Sequence, residues 1–553
     1  MSTTDQTGET APELGVDTPE GADTTAPQPA AGPTSAPAAP ASSPPDPVGT
    51  AEDPKRWWTL AVLCLSLVLI VANNASLSVN LPDLQKALHA SDSGLQWIVD
   101  IYSLIFAGLL LPAGALTDRY GRKTALQLGL IVLAVTSLVA MSATQAWELI
   151  ALRGVMGAGA AFIMPGTLSI LTNVFSPKER GKAIAIWAGF AGFGGILGPL
   201  VAGYLLDHYY WGSAFAVNVP IVAVALLAGA FLVPNSKDPH ETKLDPAGTL
   251  LTVAGLTILL YGIIEGPDSG WRSGSVLATL AIGLILLAGF VVWELRNSDP
   301  MLDIRLFRNP NMAIGAGTIA LQYFALYGLF FVILQYYQLS HGYLPFKSAL
   351  ATVPIGILSM VGAPLSARLV GKLGPRIVVG TGLLTSAAGF IILSRATPTT
   401  PLAVLIPGEC LIGLGLGHTT APSTTLIMSA VRRAKSGIGS AVNDTSRELG
   451  GALGIAVLGS ILNSVYQGRV LHRVPPLPKP SVAAAVKTSV TTALQSAKSL
   501  PPQTARAVVH AAQLTFAQAF GAAMIGGAIM LAVTSGLVWK FQRSDRSSAP
   551  QEH

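Results

Sequence analysis

Long apolar runs, broken at short intervals by polar turns, fill the chain from about residue 57 to residue 539. A run of about 20 apolar residues crosses a bilayer as a helix, because 1.5 Å of rise per residue matches a hydrocarbon core about 30 Å thick. The pattern predicts fourteen such helices. The first six cover 57–76, 95–113, 124–142, 147–172, 182–206 and 213–233. Two more cover 246–264 and 275–295, and the last six cover 311–338, 346–369, 376–393, 401–429, 436–465 and 514–539. The remaining connection, 466–513, is Pro-rich at 474–480 and helical in character at 481–499; an amphipathic hairpin at the membrane face and a flexible loop both fit it.

Composition narrows the class. Of 553 residues 51% are hydrophobic and 11% charged, where a soluble domain carries about 25% charged residues. This is an all-α polytopic membrane protein. Even-numbered connections, with the span ends beside them, and both tails hold 22 basic residues, and the short odd-numbered connections with their span ends hold four, Lys86, Arg272, Lys347 and Arg395. Basic loops stay inside, so both termini are expected in the cytoplasm. The net charge of +5 then belongs to membrane-facing loops and marks no nucleic-acid partner. Cys64 and Cys410 both fall within spans, so no disulfide framework or metal site is implied. Residues 1–54, rich in Pro, Ala, Thr and Ser, are expected to form a disordered tail with no cleavable signal. No nucleophile–base pair, metal spacing or phosphate loop points to an enzyme.

Between the second and third runs lies Gly114-Ala-Leu-Thr-Asp118-Arg119-Tyr-Gly121-Arg122-Lys123. Glycines there permit close approach and positive φ, Asp118 can cap a helix, and the basic residues suit anionic headgroups. The segment resembles the G-x-x-x-D-R-x-G-R-[RK] loop of the major facilitator superfamily. A decayed copy, from Gly362 to Arg376, follows the second of the last six runs, as parallel six-helix halves require. The resemblance implies 6 + 2 + 6 helices: a bundle at 55–235, two inserted helices at 236–300, a bundle at 301–540 and a tail at 541–553. That is the arrangement of the fourteen-span drug:proton antiporters of the QacA/EmrB type, and the composition fits a high-GC actinobacterial source.

Further stretches carry candidate chemistry. Gly194, Gly198, Pro199 and Gly203 in the fifth run match an antiporter motif, with Ala202 in place of one Gly; small-residue helix packing is the plainer reading. Arg153 in the fourth run resembles the family's R-x-x-x-G arginine, tied to proton transfer. An arginine in the membrane needs a partner or a cavity, and snorkelling outward near Glu148 is its alternative. Asp100 reads as a proton carrier, an attractor of cations, or an interfacial residue beside Trp97. Asp444, Arg447 and Glu448 share one helix face and resemble a QacA-type stretch, either a proton site or a self-neutralised structural patch. Glu409, with no counter-ion nearby in sequence, is a further proton-coupling candidate, unremarkable if it lies in the outer leaflet. Where the family has a first-run Asp this chain has Asn73, which carries no proton. Asn73, Asn74, Tyr102, Tyr323, Tyr327 and Phe331 are candidates to line a substrate cavity, the aromatics through cation–π contact or merely as packing.

The resemblance implies a monomeric exporter of amphipathic drugs or secondary metabolites, driven by the proton motive force, without a cofactor and with membrane lipids around it. Two other readings stay open: a dedicated exporter of an endogenous lipid or metabolite with altered proton coupling, which Asn73 favours, and a non-transporting sensor on the same fold.

Overall fold

The computed structural model describes residues 55–236, 245–298, 300, 302–431, 436–477 and 479–542. The expected tails 1–54 and 543–553, several of the basic loop residues and the side chain of Asp118 lie outside the described residues. The chain begins with α1 (Lys55–Ala87), α2 (Asp92–Tyr120), α3 (Arg122–Ala140), α4 (Ala146–Val174), α5 (Pro177–His208), the single turn α6 (Ser213–Ala216) and α7 (Asn218–Leu232). Next come α8 (Pro246–Ser269) and α9 (Gly274–Arg296). The rest comprises α10 (Pro310–Leu339), α11 (Pro345–Ala351), α12 (Val353–Leu373), α13 (Pro375–Leu393), α14 (Leu402–Ser429), α15 (Ser436–Arg469), α16 (Pro480–Thr488), α17 (Val490–Ala497) and α18 (Pro502–Phe541).

Thirteen spans among the described residues are long and apolar enough to cross a membrane, α6 joining α7 and α11 joining α12. The 32-residue α5 occupies the expected fifth position without being one of the thirteen. Helices outlast the apolar windows that announced them: α1 runs on to Ala87, α15 reaches Arg469, and α18 starts at Pro502. Backbone hydrogen bonding continues past the hydrocarbon boundary until a capping residue or a proline ends it. Ser91 does this ahead of α2, its side chain accepting from Gly94 N, and Pro502 opens α18. The expected 466–513 loop therefore shrinks, and its centre is a packed hairpin of α16 and α17. Ser489 caps α17, Tyr466 Oη donates to Val486 O at 3.1 Å, and Val486, Val490 and Ala493 are buried.

The helices pack in a pattern that occurs twice. In the first group α1 lies on α5, α2 and α3 on α4, and α3 on α7; in the second α10 lies on α15, α12 and α13 on α14, and α13 on α18. The corresponding turns repeat too. Gly121 between α2 and α3 has φ 113° and Gly374 between α12 and α13 has φ 82°, a region where a Cβ is strained. Between the groups α2 meets α15, α5 meets α11 and α12, and α1 meets α10. α8 touches both α2 and α15, and Leu256, Leu260 and Ile264 pack there with Leu104, Ala452 and Ala456.

Candidate functional site

The α2–α15 seam gathers most of the charged residues expected inside the membrane. On α15, Arg447 Nη2 stands 3.4 Å from Asp444 Oδ1 and its Nε 3.3 Å from Glu448 Oε1. Asp444 shares a face with Arg447 and Glu448, three and four residues on, and the long Arg447 side chain bends round to Glu448; partial burial makes each bond matter more than at an exposed face. Tyr327 Oη donates to Glu448 Oε1 at 3.3 Å, and the Arg447 guanidinium lies 5.9 Å from the Tyr323 ring centre. Asn443 donates to Asp444 and accepts from Thr424. The patch is thus paired internally, but it also reaches across the seam. Arg447 Nη2 lies 3.7 Å from Met164 Sδ on α4, while Glu448 Oε2 is buried without a hydrogen-bond partner among the described residues.

A second cluster joins α1, α2 and α4. Asn74 Nδ2 donates to Ser103 Oγ at 3.4 Å, and Asn74 Oδ1 accepts from Arg153 Nη2 at 3.1 Å. Arg153 is fully buried; its Nε donates to Ile98 O and its guanidinium caps the Tyr102 ring at 4.3 Å. It does not snorkel. Glu148, the partner that would have drawn it outward, instead accepts from the amides of Thr144 and Gln145 and caps the start of α4. Gly157 lets α4 close on α2, where a Cβ would stand 2.5 Å from Tyr102 O.

Asp100 is fully buried on α2, and neither carboxylate oxygen has a hydrogen-bond partner among the described residues. One turn away Gln96 is equally buried, with both side-chain atoms unpartnered; a Cβ at Gly459 would meet its amide at 2.6 Å. The interfacial reading beside Trp97 is therefore replaced by a seam position. Phe331 lies against Gly459 and lines a gap of about 10 Å³ with Asp92, Gln335 and Asn463, room for about one water.

Other expected site residues lie elsewhere. Asn73 Oδ1 accepts from Asn218 Nδ2 at 2.9 Å, inside the first group and away from the seam. Asn73 therefore drops out as a cavity-lining residue, because successive helix positions point about 100° apart and Asn74 takes the inward face. Glu409, fully buried on α14, accepts a hydrogen bond from Tyr337 Oη on α10. Gly194 and Gly198 let α5 close on α1, where a Cβ would meet Val68 O at 3.1 Å and Ala72 O at 2.5 Å. Gly203 meets the backbone of Phe346 on α11, so this motif also shapes contact between the groups. At the α2–α3 turn Lys123 Nζ donates to Ala230 O, Arg122 N donates to Ser236 O, and Arg119 is exposed. Gly114 is not tightly packed; a Cβ there would find Pro165 at an ordinary 3.7 Å. Ser103, Gln96 and Met164 gave no signal in the sequence, since each acquires its meaning only from helices far away in the chain; Asn218 stood out only within a Trp211/Phe215/Asn218/Pro220 turn pattern that read as structural.

Residues 63–455 match the model of the Major Facilitator Superfamily. The chain belongs to the major facilitator superfamily. The multidrug efflux pump LfrA of Mycolicibacterium smegmatis is 34% identical over 89% of this chain and 98% of its own length. The methyl viologen resistance protein SmvA of Salmonella typhimurium is 32% identical over 89% of this chain and 99% of its own. The tetracenomycin C resistance and export protein of Streptomyces glaucescens is 27% identical over 90% and 94% respectively. Among solved structures, a bacterial homolog of the human lysosomal transporter Spinster, inward-facing and unoccupied, superposes with a TM-score of 0.64 at 19% identity, over 90% of this chain and all of that one. The superfamily membership makes this a multi-pass membrane transporter, and the paired packing of its two helix groups is the superfamily fold.

Proposed function

We propose that this transporter exports amphipathic small molecules, lipophilic cations among them, in exchange for protons entering the cell. The halves are 55–235 and 301–540, the insert is 236–300, and both tails face the cytoplasm. Resemblance to resistance and export proteins over nearly the whole chain supports the direction and the substrate class. The observation that supports the coupling is the buried α2–α15 seam, where Asp100 lacks any partner and Glu448 keeps one buried oxygen unpartnered, beside the Ser103–Asn74–Arg153 network of the first group. An ionised carboxylate without a partner costs several kcal/mol in such a place, so Asp100 holds a proton while the seam is closed. Parting of the halves wets the seam and releases it. One proton moving through 100 mV supplies about 2.3 kcal/mol, enough for a single carboxylate to drive export of a dilute substrate.

The contacts between the groups gather at the end bearing the α16–α17 hairpin. Gln338 Nε2 donates to Val79 O at 2.8 Å, Gln85 donates to Ser489 Oγ at 3.3 Å, and Phe346 N donates to Asp207 Oδ1. With that end outside, the conformation is closed to the exterior. The transporter works as a monomer, since both halves of the seam come from one chain.

Ethidium transport in inverted vesicles with an imposed pH gradient tests this. Wild type should collapse the gradient when ethidium is added, and Asp100→Asn should bind ethidium without collapsing it. A wild type that exports ethidium with the gradient untouched refutes the coupling. A transporter that moves one endogenous metabolite and ignores ethidium would instead support the dedicated-exporter reading.

A further inference from the structure

Glu409 lies outside the seam, and its surroundings ask for a separate explanation. It sits about two turns into α14, fully buried, and its Oε1 accepts from Tyr337 Oη while Oε2 has no partner. It makes no ion pair among the described residues. The charged groups on elements packed against α14 are engaged or placed elsewhere. Asp444, Arg447 and Glu448 on α15 pair with one another, and Arg368 and Lys372 on α12 and Arg376 on α13 lie near the α12–α13 turn. Arg395 follows the end of α13, Arg469 is exposed at the last turn of α15, and Lys347 on α11 lies over the Tyr343 ring at 3.9 Å.

Tyr337 is held by rings on both sides. Tyr343 stacks on it at 6.0 Å and 15°, and His341 meets it edge-on at 6.1 Å. His341 Nε2 lies 2.7 Å from Thr400 O. A carbonyl only accepts, so Nε2 carries the hydrogen and Nδ1 of the neutral ring is an acceptor. That Nδ1 is buried and has no donor. His341 is half-buried and its ring touches that of Tyr337, which carries the hydroxyl bound to the buried Glu409 carboxyl. The residue after Tyr337 is Gln338, whose amide clamps α10 to Val79 O of α1 at the closed end.

We propose that Glu409, Tyr337 and His341 form a proton-binding site on the exterior side of the second half, and that its occupancy sets the grip of α10 on α1. On protonation one O–H bond forms at the Glu409 carboxylate, with the proton taken from the outside. The new hydroxyl donates to Tyr337 Oη, whose own hydrogen is freed to turn away from the carboxyl, and the imidazole of His341 remains neutral. The neutral site is compatible with dry packing and keeps the Gln338–Val79 clamp shut. Ionised Glu409 has no cation to pair with, so its charge is tolerated once the exterior end parts and water enters. Acid outside therefore holds the transporter closed to the exterior, and alkaline conditions outside favour opening. The site rests on the alternating-access part of the reading above and is independent of where the transported proton is carried.

Spin-label distances across the exterior end test it. Labels at Lys86→Cys and Leu344→Cys, in full-length protein with Cys64→Ser and Cys410→Ser, report the separation of α1 from α11 in liposomes. The distribution should move to longer distances from acid to alkaline buffer, and Glu409→Gln should keep the short distance throughout. Tyr337→Phe, which alters no charge, should weaken the pH response. A Glu409→Gln protein that opens with pH as wild type does overturns the proposal, as does a wild-type distance that ignores pH. Because export needs the exterior end to part, Glu409→Gln should slow the collapse of a pH gradient on ethidium addition while leaving the protons exchanged per ethidium as in wild type; a changed ratio would place Glu409 in the transport step and overturn the gating role. Should Glu409→Gln fail to fold, Tyr337→Phe with a full wild-type response overturns the proposal by itself.

Discussion

At the scale of single residues, adjacent asparagines on α1 do different work. Asn74 joins Ser103 to Arg153, and Asn73 faces Asn218 within the first half. Asn74→Ala leaves one Arg153 nitrogen without an acceptor in a dry site, which costs about 1–3 kcal/mol. Thermal unfolding in detergent should show the loss as a lowered Tm, and ethidium export should fall with it. Asn73→Asp should behave differently. The new carboxylate keeps the acceptor for Asn218 and removes an amide nitrogen that now has no partner. Because this position faces away from the seam, the protons exchanged per ethidium should remain as in wild type; a raised ratio would return the first-helix position to the coupling path. Arg153, Asp100 and the Asp444–Glu448 patch were legible in the sequence because charge inside an apolar run is conspicuous. Their partners were not: Asn74 and Arg153 are 79 positions apart, and spacing along one helix says nothing about which neighbour it meets.

Elements were legible in proportion to their hydrophobicity. Existence and order of the helices followed from the apolar runs, whereas their ends did not, because capping and proline end a helix at places hydropathy ignores. The α16–α17 hairpin was half legible for the same reason; its helical propensity was visible, but burial of Val486 and Val490 under Tyr466 and Phe516 depends on tertiary contact. Small-residue motifs carry a sharper expectation. Gly198 allows α5 to touch the backbone of α1 inside one half, while Gly203 sits against α11 of the other. A valine at either position meets main chain that has no rotamer to yield, and overpacking costs about 1–3 kcal/mol. Gly198→Val should therefore lower the Tm and the yield of folded protein. Gly203→Val presses on a contact that exists when the exterior end is closed, so it should favour the open form, seen as faster labelling of Leu344→Cys by a membrane-impermeant thiol reagent. Equal effects of both on Tm, with labelling unaltered, would make Gly203 an ordinary packing residue.

For the whole molecule, the exchange of partners between halves defines what has to move. The second helix of each half packs on the fifth helix of the other, α2 on α15 and α11–α12 on α5, and α8 leans on the first of these seams from the side. Its hold is polar as well as apolar: Ser460 Oγ donates to Ile263 O at 2.7 Å, and Trp271 Nε1 donates to Ser464 Oγ at 3.1 Å. Rocking of one half against the other must part both seams at the exterior end while the packing inside each half persists. A short bis-thiol reagent joining Asp207→Cys to Phe346→Cys, whose native groups are 3.4 Å apart, should therefore arrest export, and a reducible version should restore it on reduction. The same reagent joining Gln513→Cys to Leu339→Cys spans α18 and α10 within the second half, where Gln513 Nε2 donates to Leu339 O at 3.0 Å. That link should leave export near its uncrosslinked rate. Arrest by both links would mean that the halves deform as they move, and export surviving the first would mean that the α5–α11 seam stays closed through the cycle and the exterior path opens along α2 and α15 alone.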